Sequence, residues 1–158
     1  TAADNSSASE SLDLTGYSLK SYNSFKQLKS GDLVATIKCE NILLGEKAVI
    51  FDSSDKSNIV MHKASVEPWN KGGVLFVGAN TSDQFKLLHD AEIGEKFVVS
   101  FYDHDTYTYK LKKIVPCAEA KELTYYIKEN RLVLCLQYND FKDLGNSYYC
   151  QDFIAEKA

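Results

Sequence analysis

Cys135 ends the apolar run Leu132-Val133-Leu134-Cys135 and is the residue best placed in this sequence to act as a nucleophile. A thiol at the end of a strand that opens onto a polar loop can be partly exposed, as nucleophilic attack requires. The competing reading is a small buried hydrophobe, because cysteine outside disulfides is among the most buried residue types. A cysteine nucleophile also needs a base within hydrogen-bond reach. The three histidines, His62, His89 and His104, are not set there by any spacing. His104 reads as a solvated residue of an Asp-His-Asp turn, His89 as the end of a short helix, and His62 as a strand end.

The other cysteines are Cys39, Cys117 and Cys150. Four cysteines allow three complete pairings, and the sequence does not choose among them. If the last two strands form a hairpin, Cys150 lies across from the Cys135 strand. A disulfide there would abolish the nucleophile, so the two readings exclude each other. No CxxC or Cys/His ligand cluster occurs, and the expectation is no metal and no cofactor. Ser/His/Asp catalysis, glycine-rich phosphate loops and paired glycosidase carboxylates have no local signature.

The elements that must position Cys135 read mostly as strands. Leu33–Ile37, Ala48–Phe51, Ile59–His62 and Val74–Val77 are short apolar runs bounded by Gly, Asp, Ser or Asn. Lys96–Tyr102 and Thr106–Ile114 form the clearest hairpin, turning at Asp103-His104-Asp105. In its second arm Tyr107, Tyr109 and Leu111 share one face, and Thr108, Lys110 and Lys112 the other. Arg131–Gln137 and Tyr148–Ile154 are the last two strands, joined by a polar loop around Gly145. Ser82–Ala91 is different: Phe85, Leu87 and Leu88 fall at helical spacing, with Ser82 as the expected cap. Glu119–Glu129 is ambiguous between a helical turn and irregular chain.

The first 11 residues are small and polar and read as a disordered linker. Residues 12–30 hold one or two short helical turns, and 31–158 make the β domain. Seven or eight short strands with one brief helix make the expected fold class mainly β, a closed or nearly closed barrel with short helices.

Composition agrees with this and excludes other classes. The 158 residues include 10 Tyr and 8 Phe but only 2 Pro, which favours strands over long loops. The formal net charge is −4, from 18 basic and 22 acidic residues, which argues against a nucleic-acid partner. Seventeen of the basic residues are Lys; the single arginine is Arg131. Stretches such as Lys110–Lys113 read as solvated faces. No run approaches the 18 apolar residues of a membrane span, so the chain reads as soluble.

From about Gly31 to Ile154 the chain resembles the sortases, surface-anchored cysteine transpeptidases of Gram-positive bacteria built on an eight-stranded barrel. The resemblance is carried by Gly72-Gly73-Val74-Leu75-Phe76-Val77-Gly78, the following Phe85 and Leu88, and Ile93-Gly94-Glu95-Lys96. Tyr107-Thr108-Tyr109-Lys110-Leu111 and Leu132-Val133-Leu134-Cys135 complete it. It implies a cell-surface domain, held at the membrane by a segment absent from this chain, whose partner when active is an LPxTG-like sorting-signal peptide.

The same resemblance marks three departures. Ala79 stands where the family has its catalytic His. Leu134 stands where it has Thr before the Cys. The region of the family Arg reads Asn146-Ser147-Tyr148-Tyr149. Cys135 and Ala79 are thus the candidate catalytic positions, and Leu134, Ser147 and Tyr148 the candidate substrate-binding ones. Arg131 shares a strand face with Cys135, but four residues separate their Cα atoms by roughly 13 Å, too far for rescue. A missing general acid costs about 10²–10⁴-fold and a missing oxyanion donor about 10²–10³-fold, without simple additivity. The expectation is a weak or inactive transpeptidase serving as a binding or accessory module. The alternative is an active sortase-type transpeptidase with a rearranged site, or one in which Ala79 is an engineered replacement for His. A third is a structural domain stapled by a disulfide.

Overall fold

The computed structural model describes residues 12–39, 41, 45–53, 57–64, 66–119, 127–137 and 149–158. Among the described residues there are eight strands: β1 (Leu33–Lys38), β2 (Lys47–Phe51), β3 (Ile59–Ala64), β4 (Val74–Ala79), β5 (Lys96–Phe101), β6 (Thr106–Glu119), β7 (Arg131–Gln137) and β8 (Tyr149–Lys157). They close into a barrel in the order β1-β2-β3-β4-β7-β8-β6-β5. The pairs β2–β3 and β4–β7 are parallel, and the others are antiparallel.

Closure follows from strand alternation. Along β7, Leu132, Leu134 and Leu136 point into the barrel with Phe76 of β4 and Phe153 of β8. Val133 and Cys135 point outward and pack with Leu75 and Val77. Both faces of β7 are therefore covered, which explains its unbroken apolar sequence. Each large side chain sealed in this core contributes about 1.5–3 kcal/mol of hydrophobic stabilisation.

The helical expectation for Ser82–Ala91 is corrected. Only Lys86–Asp90 is helical, as a five-residue 3-10 turn whose N-cap is Phe85, with no side-chain cap. Phe85 is wholly buried against Gly78 at the end of β4, so barrel packing overrides the local α signal. Among the described residues, no helix is long and apolar enough to cross a membrane.

The segment before β1 is docked on the barrel. It holds the 3-10 turn Phe25–Gln27, closed by a Ser24/Gln27 capping box. Glu67 accepts hydrogen bonds from the Ser24 hydroxyl at 3.0 Å and the Phe25 N–H at 2.9 Å. Asp32 accepts from the Lys29 N–H at 2.8 Å and the Ser18 hydroxyl at 2.9 Å. Tyr22 donates to the Val34 carbonyl at 2.8 Å, and its ring joins Phe25 and Trp69.

Burial alone would push the Glu67 and Asp32 carboxyls up. The hydrogen bonds outweigh it, aided at Asp32 by the nearby Lys20 and Lys29 charges, and both sit below the usual carboxylate range. A carboxyl lowered on folding stabilises the fold fully above its unfolded value of about 4, and that contribution disappears as pH falls through the folded value. Trp69 is the only tryptophan and packs on Phe25, so it reports on this docking. Its emission should change below about pH 4 in an acid titration, and Glu67→Gln should flatten that step. An identical step in the variant would show that Glu67 does not hold the segment.

Candidate functional site

The parallel pairing of β4 with β7 builds the site. Its register sets Val77 beside Cys135 and Ala79 beside Gln137. Strands about 4.8 Å apart with a rise of about 3.3 Å per residue place the Ala79 Cα roughly 8 Å from that of Cys135. The two positions predicted to be catalytic are thus brought together at the ends of adjacent strands. Leu134 lies one residue before Cys135 and points the other way, into the barrel core. Ser147 and Tyr148 lie outside the described residues.

Cys135 is 0% exposed, in an outward-facing apolar cluster with Leu75, Val77 and Val133, against which Val115 and Ile127 pack. Directly opposite on β8 is Asp152, also 0% exposed. Sequence reasoning missed this pairing. The only available signal was a single acidic residue inside the Cys150–Ala155 run, and its partner is defined only by the β7–β8 register. Cys150 faces the Cys135 strand, as the hairpin reading expects, but its opposite residue is Gln137.

The end of β4 is clamped. The Ala79 N–H donates to Gln84 Oε1 at 2.7 Å, and its carbonyl accepts from the Phe85 N–H at 3.1 Å. Gln84 is itself buried. Just beyond, Asn80 Oδ1 and Thr81 Oγ1 are buried atoms with no hydrogen-bond partner.

The remaining cationic candidates lie elsewhere in the fold. Arg131 pairs with Glu156 of β8 at 3.3 Å. His89 is exposed in the Lys86–Asp90 turn. His104 is not the solvated turn residue expected. Its imidazole stacks on Trp69 with ring centroids 3.9 Å apart and contacts the Tyr22 carbonyl. Its neighbour Asp103 takes a left-handed φ of 61°, which tightens the β5–β6 turn beneath the ring. His62 falls at the β3 bulge, where the register with β4 shifts, two strands from β7. Among the described residues no group of three His, Cys, Asp or Glu side chains could hold a metal ion.

No protein-family model matches the chain, and no curated protein matches it in sequence. Solved structures do match. The catalytic domain of B. anthracis SrtD is 21% identical, with 88% of this chain and 94% of that one covered and a TM-score of 0.62. Sortase E1 from Streptomyces coelicolor, with a tripeptide in its active site, is 15% identical over 80% of this chain and 88% of that one, with a TM-score of 0.65. Clostridium perfringens sortase C with the C-terminal cell wall sorting motif is 13% identical over 84% and 74%, with a TM-score of 0.63. With its closed eight-stranded barrel and short 3-10 turns, the chain has the fold of the sortases.

Proposed function

We propose that this sortase-like domain is weak or inactive as a cysteine transpeptidase and acts at the cell surface of a Gram-positive bacterium as a peptide-binding or accessory module. The observation that carries this reading is the setting of Cys135: fully buried among aliphatic side chains and opposite a carboxyl group on β8. Burial among aliphatic side chains raises the free energy of a thiolate. Even an ordinary exposed thiol is only a few per cent ionised at pH 7. At the neighbouring strand end the side chain is the methyl group of Ala79, which neither accepts nor delivers a proton. A peptide partner is supported by the two relatives solved with a tripeptide and with a sorting motif.

The second reading, an active transpeptidase with a rearranged site, is favoured by one observation. Cys135 lies near the paired ends of β4 and β7, with Asn80 and Thr81 presenting unsatisfied polar atoms just beyond. One assay separates the two. With an LPxTG-type peptide and an amine acceptor, cleavage should not rise above the level of the Cys135→Ala variant. Alkylation of Cys135 at neutral pH, read by mass spectrometry, should be slower than that of an unfolded control. Cleavage abolished by Cys135→Ala would establish the transpeptidase instead.

A further inference from the structure

A cleft of about 700 Å³ opens on the outer face of β1, β5 and β6, two to four strands removed from β7 around the barrel. Its floor is unusual in charge. Lys96 of β5 and Lys110 of β6 are a directly opposed cross-strand pair, and Lys38 of β1, opposite Val98, is the diagonal neighbour of Lys96. All three are exposed and line the cleft. Like charges placed directly opposite in a sheet destabilise it, and a third ammonium about 7–8 Å away on the diagonal adds to the repulsion.

Among the described residues, none of the three lysines has an ion pair or hydrogen bond. Of the two carboxylates that line the cleft, Glu92 is exposed, and Glu95 is engaged by the Cys39 thiol at 3.6 Å and the Asn41 amide at 3.1 Å. The Lys110 stem runs past Gly94, whose missing side chain leaves that path open.

We propose that this cleft binds a phosphomonoester, its phosphate held by Lys38, Lys96 and Lys110 and its organic body lying over Val98 towards Ile93. Three lysines on adjacent strands of one sheet face, all lining the same cleft, match a phosphate that carries about −1.5 to −2 charges and three acceptor oxygens. Planar, bidentate carboxylate recognition is the province of Arg, and the only arginine lies on β7 in the pair with Glu156. A long polyanion is disfavoured because Glu92 and Glu95 also line the cleft and the net charge is −4. The volume exceeds what a bare phosphate ion needs and falls in the range of small-molecule sites. Ile93, 60% exposed at the rim, offers an apolar surface for the rest of the ligand. This site is independent of the thiol site on β7 and of whether that site is active.

The experiment is an amide NMR titration of the whole chain at constant ionic strength, with glycerol phosphate, inorganic phosphate and succinate in separate arms. Saturable shifts over Gly94–Val98 and Thr108–Lys110 are expected with glycerol phosphate, smaller ones with inorganic phosphate, and none with succinate. Lys96→Gln together with Lys110→Gln should weaken glycerol phosphate at least about tenfold. The same double variant should melt no lower than the parent in phosphate-free buffer, since it removes a repulsive pair. Equal shifts with succinate, equal affinity for inorganic phosphate, or unchanged binding in the double variant would each overturn the proposal.

Discussion

Ala79→His should leave sorting-peptide cleavage within about tenfold of the parent chain, far short of the 10²–10⁴-fold that a working general acid contributes. The geometry makes this a fair trial. Position 79 is roughly 8 Å from Cys135 between Cα atoms, on the adjacent parallel strand, and an imidazole can span that gap. Proximity is not the missing factor. The thiol remains sealed among Leu75, Val77 and Val133, so its thiolate is disfavoured before any histidine arrives.

The charge that develops on a carbonyl under attack also needs a donor, worth another 10²–10³-fold or so. Arg131 is held by Glu156 at the far end of β7. Because nucleophile, acid and oxyanion donor act as a unit, supplying one of three returns little of the whole. The check is cleavage kinetics with mass-spectrometric trapping of a thioester at Cys135. A gain above about 10²-fold, with the thioester observed, would mean that Ala79 alone silences an otherwise intact transpeptidase.

Much of this was legible in the sequence, for reasons that differ by element. β7 runs from Arg131 to Gln137 as read, because an unbroken apolar run between polar loops has few other fates. The Lys96 and Thr106 arms pair as read, since a tight turn brings strands together locally. What was hidden is nonlocal. That β4 lies parallel to β7, bringing position 79 beside the thiol strand, depends on some 50 residues of intervening chain. Asp152 as the partner of Cys135, where the family resemblance directed attention to residues 146–149, requires the β7–β8 register. The Trp69–His104 stack joins residues 35 apart and left no periodic trace. Lys110 looked like part of a solvated face; only the register with β5, and the position of Lys38 beyond it, turned it into one corner of a cationic triad.

The largest stability effect is expected at the two glycines that open the β4 motif. A Cβ on Gly73 would lie 2.1 Å from the Lys128 carbonyl oxygen, and one on Gly72 would lie 1.5 Å from the Val66 carbonyl oxygen. Both obstacles are backbone, which cannot rotate away as a side chain does. The stretch leading into β7 crosses here, tied down by the Asn130 N–H to the Lys71 carbonyl at 3.0 Å. Moving Lys128 aside would pull on that bond and on the first residues of β7, and so on the register that places Cys135.

Gly73→Ala should therefore cost about 3 kcal/mol, at the upper end of ordinary overpacking. For a chain of this size that lowers Tm by roughly 6–12 °C. Gly16→Ala is the control, because an added Cβ there meets nothing within 4 Å, and it should leave Tm within about 2 °C. A Gly73→Ala variant melting with the parent would mean that the strand crossing at Lys128 is looser than described. The two glycines would then have no packing reason to be there.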